Sequence, residues 1–215
     1  MTATDTAVAI DLTRGCTDVG CVGFAAQVGA QLGSGGYTWP VSVIEVDDYG
    51  QYIADHTTAR RRANRSRRLG YRFAEVALPD HIDEIHEVNT SLDTRQGRPM
   101  AESYLKRPSP AHLPLYPCPR HAIRTFAVLA PDDTLVAYLV AYVVGDLLMF
   151  SQILGHGAHL PNDVMYLLAT GVIETVAADA GPVAVFYNRH DSGTDGLRYF
   201  KHRLGMRATR VEWRT

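Results

Sequence analysis

The spacing of apolar residues changes along the chain, and each change predicts an element. VSVIEV (41–46) follows the turn-prone QLGSGGYTWP (31–40) and predicts a strand. Asp47 and Asp48 offer an N-cap to a helix over 49–68, with Gly70 as its stop. YRFAEVAL (71–78) predicts another strand, and 81–94 a helix capped by Asp80. After RQGRPM (95–100) comes a short helix over 102–106. RPSPAHLPLYPCPR (107–120) holds too many prolines for helix or central strand and reads as a connector.

The second half is more regular. IRTFAVLA (123–130), LVAYLVAYVV (135–144) and LLMFSQIL (147–154) are strand-like runs joined by the tight turns PDDT and Gly145-Asp146, which predicts a three-stranded antiparallel meander. The Gly145-Asp146 break and the Val/Tyr content argue against a membrane helix over 135–153. GHGAHLPND (155–163) leads into a helix over 164–178, with Pro161 at its edge and Asn162 as its cap. A strand VAVFYN (183–188), a helix over 194–204 ended by Gly205, and a strand RATRVEW (207–213) complete the order. This is an α+β order, with a central, mostly antiparallel sheet flanked by helices. One domain over 1–215 is expected, with 1–122 as the acceptor side and 123–215 as the donor-binding core.

Composition narrows the class. Of 215 residues 46% are hydrophobic, too many for a disordered chain, and a net charge of −2 argues against coating DNA by bulk charge. The start MTATDTAVAI lacks the basic and apolar regions of a signal peptide, so a soluble cytoplasmic protein is expected. Cys16, Cys21 and Cys118 are too few for a disulfide scaffold. With His121 they could be stretched into a metal site, but Cys16 and Cys21 do not have a common zinc-knuckle spacing, and no metal is expected. The basic residues are almost all arginine. Lys106 and Lys201 are the only lysines, and seven arginines fall within 60–72.

The joint Gln152-Ile153-Leu154-Gly155-His156-Gly157-Ala158 lies between a strand and a helix, where glycines free backbone N–H groups for a phosphate. In that position the string resembles the Q/R-x-x-G-x-G/A loop of the GNAT superfamily of N-acyltransferases. The tail Tyr199-Phe200-Lys201-His202-Arg203-Leu204-Gly205, entered through Asn188, is similar to that superfamily's terminal pattern. The resemblance covers 123–215 well and implies a GNAT-like fold. It also implies acyl-CoA (acetyl-CoA) as donor, held by Gln152, Gly155, Gly157, Ala158 and Asn188, and an amine as acceptor.

Two departures stand out. Residues 158–163 separate the glycine loop from its helix, and Lys201 stands where the superfamily often has a tyrosine general acid. Both look like the Fem-type and aminoacyl-tRNA–protein transferase branches, whose terminal pattern is similar to Phe200-Lys201 with Gly205. That resemblance implies aminoacyl-tRNA as an alternative donor. Lys201, His156 and Tyr199 are the candidate catalytic residues. Arg95, Arg98 and Tyr104 are candidates for the acceptor, with an arginine holding a carboxylate.

Arg60, Arg61, Arg62, Arg65, Arg67 and Arg68 lie on one predicted helix with no acid among them and are candidates for tRNA phosphates. The plainer reading is a solvated face paired with Asp47, Asp48, Asp55, Asp80, Asp83 and Glu84. A non-catalytic nucleic-acid-binding module is the alternative from another class.

Overall fold

A computed structural model describes residues 7–34, 40–109, 114–181 and 183–215. The elements in chain order are β1 (Val8–Asp11), α1 (Val19–Ser34), β2 (Val41–Val46), α2 (Tyr49–Asp55), α3 (Thr57–Arg68), β3 (Arg72–Glu75), α4 (Ile82–Thr90), β4 (Thr94–Arg95), β5 (Arg98–Pro99) and α5 (Glu102–Leu105). Then come β6 (His121–Leu129), β7 (Leu135–Val144), β8 (Leu147–Gly155), α6 (Val164–Ala180), β9 (Val183–Arg189), α7 (Asp195–Arg203), β10 (Arg207–Thr209) and β11 (Val211–Arg214).

Seven strands form one sheet in the order β10-β2-β9-β8-β7-β6-β3. Every neighbouring pair is antiparallel except β8 and β9, which run parallel. The meander β6-β7-β8 has the predicted turns, while β2 and β9 enter from distant parts of the chain. The fold is α+β, with helices on both faces of the sheet. α6 is apolar nearly all round and is buried accordingly, packing with α2 and α3 on one face. The other face is covered by α1 with the small parallel pair β1-β11, and by α4.

Several expected boundaries shift. The helix expected over 49–68 breaks at His56 into α2 and α3; Asp48 does cap α2, its carboxylate accepting from the Gln51 N–H at 2.7 Å. The helix expected over 81–94 begins as a 3-10 turn, Leu78–His81, and Asp80 makes no capping bond. Residues 94–99 fold as the β4-β5 hairpin. Asp163, not Asn162, precedes α6, and the Asn162 amide donates instead to the Tyr71 hydroxyl. RATRVEW divides between two sheets. The first forty residues contain β1 and α1, which the glycine-rich pattern did not predict; the centre of the expected turn at 31–40, and residues 110–113 of the connector, lie outside the described residues. Among the described residues no helix is long and apolar enough to cross a membrane.

The β7-β8 turn anchors the N-terminal segment. Gly145 has φ +60°, its N–H donates to the Arg120 carbonyl at 2.8 Å, and the Asp146 N–H donates to the Asp11 carbonyl at 2.8 Å. A Cβ on Gly145 would stand 2.2 Å from the Asp11 oxygen and 2.6 Å from the Leu12 carbonyl carbon. Neither backbone atom can rotate away. Gly145→Ala should therefore destabilise the chain by about 2–4 kcal/mol in urea unfolding, and an unchanged midpoint would contradict this packing.

Candidate active site

β8 and β9 pair over only three positions, Leu147 to Met149 with Ala184 to Phe186. Beyond them β8 is bulged at Ser151: Val140 faces Gln152 while Ala141 faces Phe150, so two strand residues span one step. The two strands then diverge, and a cavity of about 430 Å³ opens between their ends. Ile153 to Gly155 and Tyr187 form its floor. The β4-β5 hairpin closes one side, the start of α6 with Arg62 of α3 the other, and α7 with Tyr199 and Phe200 covers it.

Charge and aromatic rings concentrate on the α6 side. Asp163 is buried, and its two carboxylate oxygens accept from Arg62 Nη1 at 2.9 Å and Arg65 Nη1 at 3.0 Å. Arg65 also donates to the Pro161 carbonyl at 2.8 Å. The Arg62 guanidinium lies over the Tyr166 ring, 5.1 Å from its centre, and within 5.8 Å of the Tyr199 ring. Tyr199 is further flanked by Arg203 at 4.9 Å. Hydrogen bonding to Arg203, reinforced by the charges of Arg203 and Arg62, holds the Tyr199 phenol below its usual range. Burial has the opposite effect on Tyr187, whose phenol is pushed up to about 12.

The sequence candidates separate into those on the cavity and those behind it. Tyr199, Gly155, Arg95 and Arg62 line it; Lys201, His156, Gln152, Gly157, Ala158, Asn188, Arg98 and Tyr104 do not. Arg95 uses its guanidinium on protein oxygens, donating to the carbonyls of Gly155 at 2.8 Å and Val88 at 2.6 Å and to Ser91 Oγ at 3.1 Å. It clasps the hairpin to β8 and α4 instead of offering its fork to a substrate carboxylate. Arg98 is exposed on β5, and Tyr104 packs with the cluster under α4.

The glycine loop is also committed internally. The N–H of His156 donates to the Val136 carbonyl at 2.7 Å, that of Gly157 to Ser91 Oγ at 3.0 Å and that of Ala158 to His156 Nδ1 at 3.3 Å. Those of His159 and Leu160 both turn back to the His156 carbonyl. A Cβ on Gly155 would meet Met165 Sδ at 2.5 Å, and one on Gly157 would meet Leu92 at 2.7 Å, so both glycines serve close packing. The Asp163 carboxylate stands just ahead of α6, where Arg62 and Arg65 neutralise it. In this conformation the N–H groups of residues 156–160 all have partners within the chain. Asn188, with φ +54°, accepts from the Arg189 N–H and turns β9 toward α7.

On α3 the buried residues are Ala59, Ala63 and Ser66, small side chains that let it lie against α6. Arg62 and Arg65 pair with Asp163, and Arg67 reaches Asn64 at 3.0 Å and Glu174 at 3.9 Å. Arg60, Arg61 and Arg68 are exposed with no hydrogen-bond or ion-pair partner among the described residues. The acids expected to neutralise the helix are engaged elsewhere where they pair: Asp55 accepts from Gln51, Asp83 from Arg107, and Glu84 from His81. Sequence reasoning passed over Asp163, although it is the lone acid between Asp146 and Glu174 and directly precedes an apolar helix, a position that signals a pairing role.

No protein-family model matches the sequence, and no curated protein matches it either. The fold does have solved counterparts. The C-terminal domain of a candidate lysylphosphatidylglycerol synthetase from Agrobacterium fabrum superposes with a TM-score of 0.52 at 14% identity, covering 79% of this chain and 57% of that one. L-PGS from Bacillus licheniformis gives 0.51 at 13% identity, over 78% and 56%. A GCN5-related N-acetyltransferase from Kribbella flavida gives 0.47 at 13% identity, over 80% and 54%. The chain thus spans rather more than half the length of the solved structures it resembles.

Lys201 has a structural position. It is 1% exposed, donates to the Arg189 carbonyl and to Ser192 Oγ at 3.2 Å, and lies 5.3 Å from the centre of the Tyr187 ring. Burial pushes its ammonium down to about 8. In the unfolded chain the amine keeps its proton to near pH 10.5, so between pH 8 and 10.5 the unfolded state binds more protons and stability rises with pH. The rise should be at most about 3 kcal/mol, and Lys201→Met should abolish it in denaturant melts across that range. Parallel stability curves for the two proteins would show that the ammonium carries no burial penalty.

Proposed function

We propose that this protein transfers an aminoacyl group from a charged tRNA to an acceptor bound in the cavity between β8 and β9. The observation that carries this reading is the Asp163–Arg62–Arg65 knot at the start of α6. It places a carboxylate directly ahead of α6, and the N–H groups of the adjoining loop have internal partners. Next to the same knot, Arg60, Arg61 and Arg68 remain free for phosphates. A donor with a long polyanionic body and no pyrophosphate anchor suits this arrangement better than an acyl-CoA. The Agrobacterium counterpart, a candidate lysylphosphatidylglycerol synthetase, supports a reading in which an amino acid is joined to an acceptor.

The chemistry asked of the site is modest. An amine or hydroxyl of the acceptor attacks the aminoacyl ester carbonyl, a tetrahedral intermediate forms, and the terminal ribose oxygen of the tRNA leaves. The acceptor's proton ends on that ribose oxygen, relayed by the Tyr199 phenol, while Arg62 faces the negative charge of the intermediate.

The test gives the full chain two donors side by side: labelled aminoacyl-tRNA with amine and hydroxyl acceptors, and acyl-CoA thioesters followed by thermal shift. Transfer of label from tRNA is expected, with Tyr199→Phe slower by about 100-fold. The triple change Arg60→Ala, Arg61→Ala, Arg68→Ala should weaken tRNA binding. It should also flatten the log–log dependence of affinity on salt by about 0.7–0.9 for each phosphate left without its arginine. Stabilisation by acetyl-CoA with no transfer from tRNA would overturn the proposal, and so would tRNA binding without transfer to any acceptor.

A further inference from the structure

Away from the cavity, three segments of chain bring together Cys16, Cys21, Cys118 and His121. One donor atom from each lies within 4.8 Å of every other. Cys16 sits in the loop after β1, Cys21 in the first turn of α1, and Cys118 and His121 flank the entry to β6. All three cysteines are free thiols. Cys21 Sγ lies 3.7 Å from Cys118 Sγ, and Cys118 Sγ lies 3.1 Å from His121 Nδ1. A tetrahedral zinc ion with thiolate bonds of about 2.3 Å separates its sulfur ligands by about 3.8 Å and a sulfur from an imidazole nitrogen by about 3.5 Å.

The histidine is oriented for the task. Its Nε2 lies 2.9 Å from the Leu12 carbonyl, and a carbonyl can only accept, so Nε2 carries the proton. In the neutral ring Nδ1 is then the lone-pair nitrogen, and it is the one beside Cys118. A backbone carbonyl that fixes the tautomer from the far side of the ring is the usual support of a metal-bound imidazole. Cys21 and His121 are buried, and Cys16 and Cys118 are half-buried. Disulfide pairing explains the cluster less well, since one of three thiols would remain over and a sulfur–sulfur bond needs about 2.05 Å.

We propose that Cys16, Cys21, Cys118 and His121 bind one zinc ion as a closed Cys3His site. The three thiols release their protons to solvent on binding, and with four protein ligands there is no open position for a substrate, so the ion is structural. It pins the loop after β1 and the start of α1 to the first residue of β6, beside the cluster of Ile10, Leu12, Phe24 and Val28 that covers one end of the sheet. The inference is independent of the donor.

The test uses the full chain, purified under reducing conditions, with zinc measured by elemental analysis. One equivalent per chain is expected, and its removal by a chelator should lower the melting temperature by several degrees. Adding cobalt(II) alone to the metal-free chain should give intense visible bands of tetrahedral thiolate coordination, reversed by zinc. Cys118→Ser and His121→Asn should each weaken metal retention at least tenfold. If either variant fails to fold, the cobalt titration of the unaltered chain still decides. Less than a tenth of an equivalent of zinc together with no cobalt spectrum would overturn the proposal, as would a cysteine pair already joined as a disulfide in the folded chain.

Discussion

The short parallel pairing of β8 with β9 is the constraint on which the rest depends. Each strand keeps its other neighbour: β8 stays on β7 out to Gly155, and β9 stays with β2 out to Arg189. Once the Ser151 bulge re-aims β8, the sheet splits and leaves two strand edges facing each other across a gap. Edge carbonyls at such a split need partners. The Gly155 carbonyl receives Arg95 and the Arg189 carbonyl receives Lys201. Two cations that the sequence offers as site residues, Arg95 for the acceptor and Lys201 for catalysis, thus clasp the two lips of the split, with the cavity between them.

This explains why some of the site was legible and some was not. The meander was readable because its strands are apolar runs separated by strong turn residues, a local signal. The strand–glycine–helix order around 152–164 was readable for the same reason. What the glycines do there was not, because Ser91, Leu92 and Met165, which occupy their N–H groups and their Cβ space, come from other elements. Lys201 stood out by its rarity and by its place in the terminal pattern, and neither distinguishes a catalytic amine from one that satisfies a buried carbonyl. The helix α1 escaped because VGCVGFAAQVGAQLGS is rich in Gly and Ala and opposes its apolar face with little more than Gln27 and Gln31, so its faces contrast weakly. The cysteines and His121 could be named together from the sequence, but with 97 residues between Cys21 and Cys118 no spacing rule could say that the fold brings them together.

Composition gave a nearly neutral chain, and that total conceals an ordered separation of charge. Asp47 and Asp48 lie at the start of α2, whereas Arg65, Arg67 and Arg68 occupy the last turn of α3. Both placements complement the helix dipoles, so they cost the fold little. At physiological ionic strength charges are screened over about 8 Å, so a polyanion at α3 responds to the arginines before it and hardly to acids across the molecule. Asp163 pairs with Arg62 and Arg65, and of the two Arg62 lines the cavity. The arginine run therefore divides by position into side chains that build the mouth of the site and side chains that face whatever approaches it. Asp163 makes that division, one of its oxygens accepting from Arg62, which lines the cavity, and the other from Arg65.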